Sequence, residues 1–252
     1  MIDLLKCAAD IGEAMLLTGG EVHRVEDSVN RMCSAMGAVR VDCFIITSSI
    51  VVTVTDKDGK DHTVTRRIKS SGTDFTKLGK LNNLSRHICS GDMKTAEEIR
   101  AQYEKIMSER GYSFATECVT YAFIAGAFTL FFGGDLAQFL VSCLIGGLTR
   151  FAVFFSDATV KNAVFAKFLS SLFVTAMAFL SVKLGICSVT DEIIIGNIML
   201  LIPGLGFTNA LRDLFTGDSI AGILRSLEAV LSAVGIAAGY FLFVFITGGA
   251  AI

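Results

Sequence analysis

The 252-residue chain is strongly apolar, since 52% of its residues are hydrophobic and its mean hydropathy is +0.61. Values this high exclude a single ordinary soluble domain. The formal net charge of −2 excludes the basic surface typical of nucleic-acid-binding proteins, so we expect no nucleic-acid partner.

Charged residues are concentrated in the first part of the chain. Residues 1–112 contain 16 Lys and Arg and 16 Asp and Glu, whereas residues 113–252 contain only 6 and 8. Of the 20 Phe, 18 lie in the second part. This segregation predicts two domains, a soluble one over residues 1–112 and a transmembrane one over residues 113–252.

The soluble domain is predicted to combine helices with a small sheet. Apolar residues recur at helical spacing in four segments, and between residues 39 and 68 the pattern changes to an alternation rich in Val, Ile and Thr. Asp58 and Gly59 mark a hairpin turn, and Thr95 and Glu98 have capping-box spacing. These patterns predict an α+β domain. Its predicted elements are helices over 2–17 and 21–37, three strands within 39–68, and helices over 74–90 and from residue 95 onward.

The start of the second helix is the first candidate functional segment. Glu21, Arg24 and Glu26 follow Gly19-Gly20, and free backbone amides at a helix start attract anions. We expect these three side chains to couple the soluble domain to substrate or to the membrane part. The alternative is an ordinary solvent-exposed face with ion pairs.

Cysteine and histidine spacing gives no sign of a metal site. The seven Cys are odd in number and contain no CxxC pair, and the three His lack ligand spacing to them. We therefore expect reduced, buried thiols, with no metal and no cofactor.

Catalytic motifs are also absent from the sequence. An enzyme of the hydrolase type needs a nucleophile beside a base, yet the chain contains no GxSxG, no HExxH and no P-loop. No catalytic residue is predicted, and without an ATP-binding motif any transport would be driven by an ion gradient or by a downhill substrate.

The second part of the chain predicts a bundle of five transmembrane spans. Each is near the ~20 residues that a helix needs to cross a bilayer. Gly235 and Gly239 in the last span have the spacing that lets two helices approach closely. The predicted spans cover residues 114–133, 136–156, 162–184, 191–215 (broken at Pro203) and 219–247.

Basic residues predict the orientation of the chain in the cytoplasmic membrane. They cluster before the first span and between the second and third spans, whereas the opposite connections offer only Lys183. We therefore expect a multi-pass protein with a cytoplasmic N-terminal domain and an outside C-terminus.

Pro203, the only proline, lies inside the fourth predicted span. It lacks a backbone donor and clashes with the carbonyl of Met199, so the helix should break near Gly204. Broken backbone at membrane depth is tolerated only inside protein or beside water, where transporters place ligand and ion sites. The alternative is a helix end with snorkelling charges. Polar candidates for a substrate or ion pathway near this break are Asn197, Asn209, Arg212 and Asp213.

Two further charges in the last predicted span complete the candidate pathway. Arg225 and Glu228 are three residues apart and could pair on one helix face. The sharper hypothesis is that the carboxylate titrates during transport, because ionisable groups inside a membrane usually mark a pathway or an internal pair.

Three separated motifs resemble the bacterial threonine/serine exporter family, in particular the large subunit of its split form. They read TGGEVHRVEDSVNRMCSAMG, TVTRRIKSSGTDFTKLGKLNNLSR and IMLLIPGLGFTNALRDLFTGDSIAGILRSLEAVLSAVGIAAG. The resemblance implies a cytoplasmic N-terminal region, a C-terminal membrane region, and export of threonine and serine or, in the split form, succinate. Because fused relatives have about twice as many spans, it also implies a separate small membrane subunit as partner.

The sequence is thus best explained by a subunit of a secondary transporter that exports a small metabolite. The partners expected are the small-molecule substrate, membrane lipid and the small subunit. Two alternatives stay open, a membrane-anchored hydrolase and a regulatory sensor that uses the cytoplasmic domain.

Overall fold

The structure is a computed structural model that describes residues 1–69, 72–93, 95–159 and 162–248, with side chains omitted for 155–159. Within these ranges the chain forms ten helices and one antiparallel three-stranded sheet of order β1-β2-β3. The helices are α1 (Ile2–Leu17), α2 (Val22–Ala35), α3 (Phe75–Ser90), α4 (Ala96–Ser108), α5 (Phe114–Phe131), α6 (Leu136–Thr159), α7 (Ala163–Lys183), α8 (Asp191–Ile198), α9 (Gly204–Thr216) and α10 (Ser219–Ile246), and the strands are β1 (Arg40–Ile46), β2 (Ser49–Thr55) and β3 (Asp61–Arg67).

The chain divides into two compact units. The first unit contains Met1–Arg110 together with Thr208–Ser226, and the second contains Gly111–Phe207 together with the chain from Leu227 onward. Most of α9 and the first two turns of α10 therefore belong to the N-terminal unit, although they follow the apolar helices in sequence.

The predicted fold class, an α+β cytoplasmic domain followed by five spans, is wrong. Helices dominate the described part of the chain, where strands form only the one small sheet. Four described helices, not five, are long and apolar enough to cross a membrane by length and composition. They are Phe114–Phe131, Leu136–Phe154, Ala163–Lys183 and Ser219–Ile246.

The predicted fourth span fails because the chain forms two short helices there. α8 has 8 residues and α9 has 13, both below the ~20 residues needed to cross. Between them the backbone turns, and the amide of Gly204 donates to the carbonyl of Ile202 at 2.8 Å. Pro203 has no backbone N–H to donate within a helix, which explains why the helix is interrupted at this residue.

In the first unit, α1 and α2 pack against one face of the sheet. β2 alternates strictly, so Ile50, Val52 and Val54 are buried in the core. On the other face the hydroxyls of Thr53 and Thr63 lie 2.9 Å apart across β2 and β3. This is the period-two pattern expected of a half-buried antiparallel sheet.

The helix starts of the first unit follow local sequence rules. Asp74 accepts a hydrogen bond from the amide of Lys77 at the start of α3. The capping box predicted at Thr95 and Glu98 is confirmed, with both reciprocal hydrogen bonds present. These caps fix where α3 and α4 begin without help from distant parts of the chain.

In the second unit, glycines let helices pack at backbone distance. A Cβ on Gly235 would lie 2.9 Å from the carbonyl oxygen of Val164, and a Cβ on Gly239 would meet the carbonyl oxygen of Phe168. The hydroxyl of Ser171 also donates to the carbonyl of Ile236 at 2.7 Å. The contact of Gly235 with Val164 and that of Gly239 with Phe168 advance in the same direction along the two helices, so α7 and α10 run parallel.

Candidate functional site

The turn between α1 and α2 is held by its own backbone. Gly19 has a positive φ of 98°, which favours glycine. The amide of Gly20 donates to the carbonyl of Met15 at 2.8 Å, and a Cβ on Gly20 would lie only 2.8 Å from that oxygen. The turn therefore presents Glu21 and the first amides of α2 at a fixed position.

Charged side chains from α9 and α10 converge on this turn. Arg212 Nη1 of α9 lies 2.5 Å from Glu21 Oε1, and Arg225 Nη2 of α10 donates to the carbonyl of Gly20 at 3.0 Å. Arg225 Nη1 also lies 3.1 Å from Asp213 Oδ2. We call Glu21, Arg212, Asp213, Arg225 and the neighbouring Asp218 the junction cluster.

Asp213 is the most deeply buried member of the junction cluster, with its side chain 1% exposed. Burial raises the pKa of its carboxyl, Arg225 opposes that shift, and Asp218 and Glu21 add to it. The backbone amide of Val22, the first residue of α2, donates to this carboxylate. The anion expected at this helix start is therefore supplied by the chain itself.

The junction cluster contains polar atoms without hydrogen bonds. Asp213 Oδ2, Asp218 Oδ2 and Arg225 Nη1 are buried, and none has a hydrogen-bond partner within the described residues. The 3.1 Å between Asp213 Oδ2 and Arg225 Nη1 is an ion-pair distance, but the N–H groups do not point at the oxygen. We therefore treat the two as an ion pair whose hydrogen-bonding capacity is unused.

Arg24 and Glu26 lie next to this cluster in different environments. The Arg24 side chain is 70% exposed, and its Nη1 is 3.8 Å from Glu21 Oε1. Glu26 is half-buried and accepts a hydrogen bond from the amide of Ile45. Burial raises the pKa of Glu26, and the charge of Asp218 raises it further.

A cavity of about 160 Å³ adjoins Asp218 within the first unit. The Asp218 side chain is 34% exposed, and its Oδ2 lies 4.0 Å from His23 Nδ1. Gly217, with a positive φ of 96°, ends α9 and turns the chain toward α10. Asp218 was missed by the sequence prediction, although an acid directly after a helix-ending glycine was the available signal. The cavity is lined by Phe44, Ile45 and Ile46 of β1 and by Gly217, Asp218, Ser219, Ile220 and Ala221.

Asn197 belongs to the second unit and is fully buried there. Its Nδ2 donates to the carbonyl of Ile193 at 2.9 Å, while its Oδ1 has no partner in the described part of the chain. The preceding Gly196 packs on Thr129, whose hydroxyl donates to Ser142 Oγ at 2.7 Å. Gly196, Thr129 and Ser142 thus form a close contact between α8, α5 and α6.

The remaining predicted residues are not drawn into one site. The carbonyl of Pro203 accepts from the amide of Phe207 in the first turn of α9, and Asn209 is half-buried on that helix. Arg225 pairs with Asp213, and no ion pair of the described residues includes the exposed Glu228. The alternative of an Arg225–Glu228 pair is therefore not observed. In the described ranges, no group of three or more His, Cys, Asp and Glu could hold a metal ion.

Known proteins resemble the chain over almost its entire length. The family model described as a threonine/serine exporter, ThrE, matches residues 6–247. A threonine/serine exporter of Corynebacterium glutamicum is 26% identical over 244 residues, which cover 94% of this chain and 50% of the relative. The chain thus spans about half the length of that relative. No solved structure matches it.

These matches bear on the classes of function left open by the sequence. Membership of an exporter family favours a transporter over an enzyme, and the four apolar helices are consistent with a multi-pass membrane protein. Because the family model matches nearly the whole chain, the protein belongs to the threonine/serine exporter family.

Proposed function

We propose that this chain is one subunit of a secondary transporter that exports a small metabolite across the cytoplasmic membrane. The substrate is threonine or serine, or a dicarboxylate such as succinate. The observation that carries the proposal is the family match over residues 6–247. The relative that matches is itself described as a threonine/serine exporter.

A separate small membrane subunit of the same family completes the transporter in this proposal. The aligned relative is about twice as long as the region it shares with this chain, which supports a second component. Large apolar side chains such as Phe131, Leu136 and Phe245 are also exposed on α5, α6 and α10. Lipid covers such side chains in a membrane, and so would a partner helix.

The proposed pathway uses the polar residues around the interrupted segment. Asn197, Pro203, Gly204 and Asn209 would shape it, because backbone freed from a helix can face a ligand. The positive end of α9 would favour a substrate carboxylate. The charged members are Arg212, Asp213, Arg225 and Glu228, all on α9 or α10.

Glu21, Arg24 and Glu26 would couple the first unit to the pathway. This role is supported by the ion pair of Glu21 with Arg212 and by the hydrogen bond from Arg225 to Gly20. Both contacts tie the α1–α2 turn to the helices that carry the pathway charges. A substrate that displaces Arg212 or Arg225 would therefore also change the contacts that these side chains make at the start of α2.

The proposed orientation places the first unit in the cytoplasm and the C-terminus outside. The distribution of basic residues supports it. Since α7 and α10 run parallel, the ends at Lys183 and Ile246 lie at the same end of the second unit. Residues 249–252 lie outside the described residues.

Efflux from proteoliposomes tests the function. Vesicles loaded with labelled threonine, serine or succinate would contain this chain with and without the proposed small subunit. We expect export of one of these compounds only when both subunits are present. Full export by this chain alone would contradict the two-subunit proposal, and no export of any compound by the pair would contradict the transport function.

The interrupted segment is tested with one substitution and a neighbouring control. Pro203→Ala restores an amide donor and removes the ring clash, so α8 and α9 can join and export should fall at equal protein level. Ile202→Ala changes the exposed neighbouring side chain and leaves the proline in place. Normal export by Pro203→Ala would mean that the break has only a structural role.

A further inference from the structure

We propose that the cavity beside Asp218 receives a Lys or Arg side chain of a partner protein. The cationic group lies at the Asp218 carboxylate, and the aliphatic stem lies against the apolar wall of the cavity. The partner is a cytoplasmic segment of the proposed small subunit, so this inference rests on the proposed two-subunit transporter and its orientation. It goes beyond that proposal by naming a surface through which this chain recognises the other subunit.

Uncompensated negative charge beside the cavity is the first support. The two arginines of the junction cluster are already paired with other acids. In the described ranges no salt bridge joins Asp218 to Lys or Arg, and its contact with His23 spans 4.0 Å. Glu26 lies near enough for the charge of Asp218 to raise the pKa of Glu26, and it too has no Lys or Arg partner among the described residues. Two carboxylates without a counter-ion favour a cationic occupant.

Unused hydrogen-bonding capacity at Asp218 is the second support. Its Oδ2 is buried and has no hydrogen-bond partner within the part of the chain that the structure describes, although the side chain as a whole is partly exposed. Buried polar atoms almost always have a partner, so this exception requires an explanation. The terminal torsion of an aspartate is soft, so the carboxylate can turn either oxygen toward the cavity that Asp218 lines. The ammonium of Lys and the guanidinium of Arg carry several N–H donors and no acceptor, which matches a carboxylate.

The shape of the cavity suits the aliphatic part of a basic side chain. Its volume of about 160 Å³ is roughly ten times the ~10–15 Å³ that one water needs on the same kind of measure. Phe44 and Ile46 of β1 and Ile220 and Ala221 of α10 make its walls apolar. Lys and Arg lay their methylene groups along apolar surface while the charged end reaches a polar group. The cavity provides both kinds of contact.

Exposed apolar side chains at the cavity favour a protein partner over a small free cation. Phe44 and Ile220 line the cavity and are exposed, and the exposed Ile223 extends this apolar surface along α10. A small amine would leave these side chains in water, whereas a protein segment with apolar residues beside its Lys or Arg covers them. Cytoplasmic loops of membrane proteins are rich in Lys and Arg. The proposed small subunit is therefore expected to present side chains of the required kind.

Peptide binding to the purified full-length chain in detergent tests the recognition. The probe is the peptide acetyl-Leu-Arg-Leu-amide, whose blocked ends remove the charges of a free amino acid, and calorimetry measures its binding. The matched control contains citrulline, which resembles arginine in shape but has no charge. The arginine peptide should bind at least about tenfold more tightly, because it makes a charge-assisted contact. n-Butylguanidinium should compete at least about tenfold less well than the arginine peptide, because it leaves Phe44 and Ile220 uncovered.

Two variants separate the charged contact from the apolar one. Asp218→Asn should remove the preference for the arginine peptide, and α10 should still begin as before because asparagine also favours a helix start. Phe44→Ala should weaken both peptides alike, by about tenfold, because it removes only apolar contact. The controls Asp58→Asn and Phe75→Ala make the same changes at exposed positions outside the cavity and should bind as the unmodified chain does. Thermal melting of each variant shows whether it is folded.

A photo-crosslinker in the assembled transporter tests the identity of the partner. p-Benzoylphenylalanine in place of Phe44 should crosslink this chain to the proposed small subunit. The same group in place of the exposed Phe75 should not, because Phe75 lies outside the cavity. Crosslinks from position 44 only to lipid, or only to a second copy of this chain, would overturn the assignment of the partner.

The outcomes separate this inference from the transport proposal. Equal binding of the two peptides, absent binding, or an unchanged preference in folded Asp218→Asn would each overturn the basic side-chain site. Competition by n-butylguanidinium as strong as that by the arginine peptide would overturn the protein occupant. Export by the two-subunit system can still occur in those cases. Conversely, arginine-selective binding and the crosslink from position 44 without any export would support the site and contradict the transport function.

Discussion

At the residue scale, Asp213 shows how its surroundings in the fold determine the role of a charged side chain. On the sequence it is one of several polar residues after Pro203, yet in the structure its side chain is 1% exposed and lies against Arg225 and the start of α2. The helical spacing of Asn209 and Asp213 was visible in the sequence. The partner of Asp213 was not, because Arg225 reaches it only when the chain folds back at Gly217.

The Asp213–Arg225 pair predicts a large loss of stability when only one partner is removed. Arg225→Ala leaves a buried carboxylate without its counter-charge, which should lower the free energy of unfolding by about 3 kcal/mol or more. Adding Asp213→Asn to Arg225→Ala should recover most of that loss. Arg212→Ala is the matched control, because its side chain is 59% exposed and its ion pair should contribute less than about 1 kcal/mol. Thermal melting in detergent, monitored by circular dichroism, would rank the stability losses of the variants. Equal losses for Arg225→Ala and Arg212→Ala would contradict this prediction.

Glu26 predicts a pH dependence of stability. Because burial raises its pKa in the folded chain, the protonated form is favoured by folding. The contribution of Glu26 to folding stability is therefore fully present below the ordinary Glu pKa of about 4.3. It is lost as the pH rises through the pKa of Glu26 in the folded chain. Glu26→Gln cannot ionise, so the stability of this variant relative to the unmodified chain should increase from about pH 4 to pH 6. The control is Glu104→Gln, which makes the same chemical change at an exposed position of α4 and should show no such increase. A stability difference for Glu26→Gln that stays constant over this range would refute the assignment.

At the element scale, local signals predicted most of the first unit. The alternation of β2, the hairpin turn at Gly59 and the capping box at Thr95 all depend on neighbouring residues, and the structure shows each of them. The failed element is the predicted fourth span, because a window of apolar residues does not reveal that α8 and α9 each end early. Hydropathy measures how apolar a segment is in total. Crossing a membrane requires in addition one continuous helix, or backbone polar groups that are hydrogen-bonded in another way.

Close packing of α7 and α10 predicts opposite effects for the same substitution at two glycines. A Cβ on Gly239 would press on the carbonyl oxygen of Phe168, so Gly239→Ala should destabilise the second unit by about 1–3 kcal/mol. A Cβ on Gly79 of α3 meets nothing within 4 Å, so Gly79→Ala should stabilise its helix by up to about 1 kcal/mol. Melting temperatures that shift in the same direction for both variants would contradict this packing.

At the scale of the whole molecule, the sequence predicted the membrane class and the family, since both depend on composition and ordered motifs. It could not assign residues 208–226 to the first unit. That assignment depends on contacts such as Arg212 with Glu21, which are 191 positions apart, and Arg225 with Gly20, which are 205 apart. Pairings at such separation leave no periodic signal in one sequence.

The Glu21–Arg212 pair gives the most direct test of coupling between the N-terminal helices and the proposed pathway. Glu21→Arg places two like charges together, and so does Arg212→Glu, so each single substitution should lower export. The double substitution restores an opposite-charge pair and should recover export if the pairing itself transmits the coupling. Arg24→Ala should reduce export less, because Arg24 is exposed and its contact with Glu21 is long. Export by all variants, at matched protein level in vesicles with the proposed small subunit, is the measurement. A double variant no better than either single one would show that the pairing of Glu21 with Arg212 does not transmit the coupling.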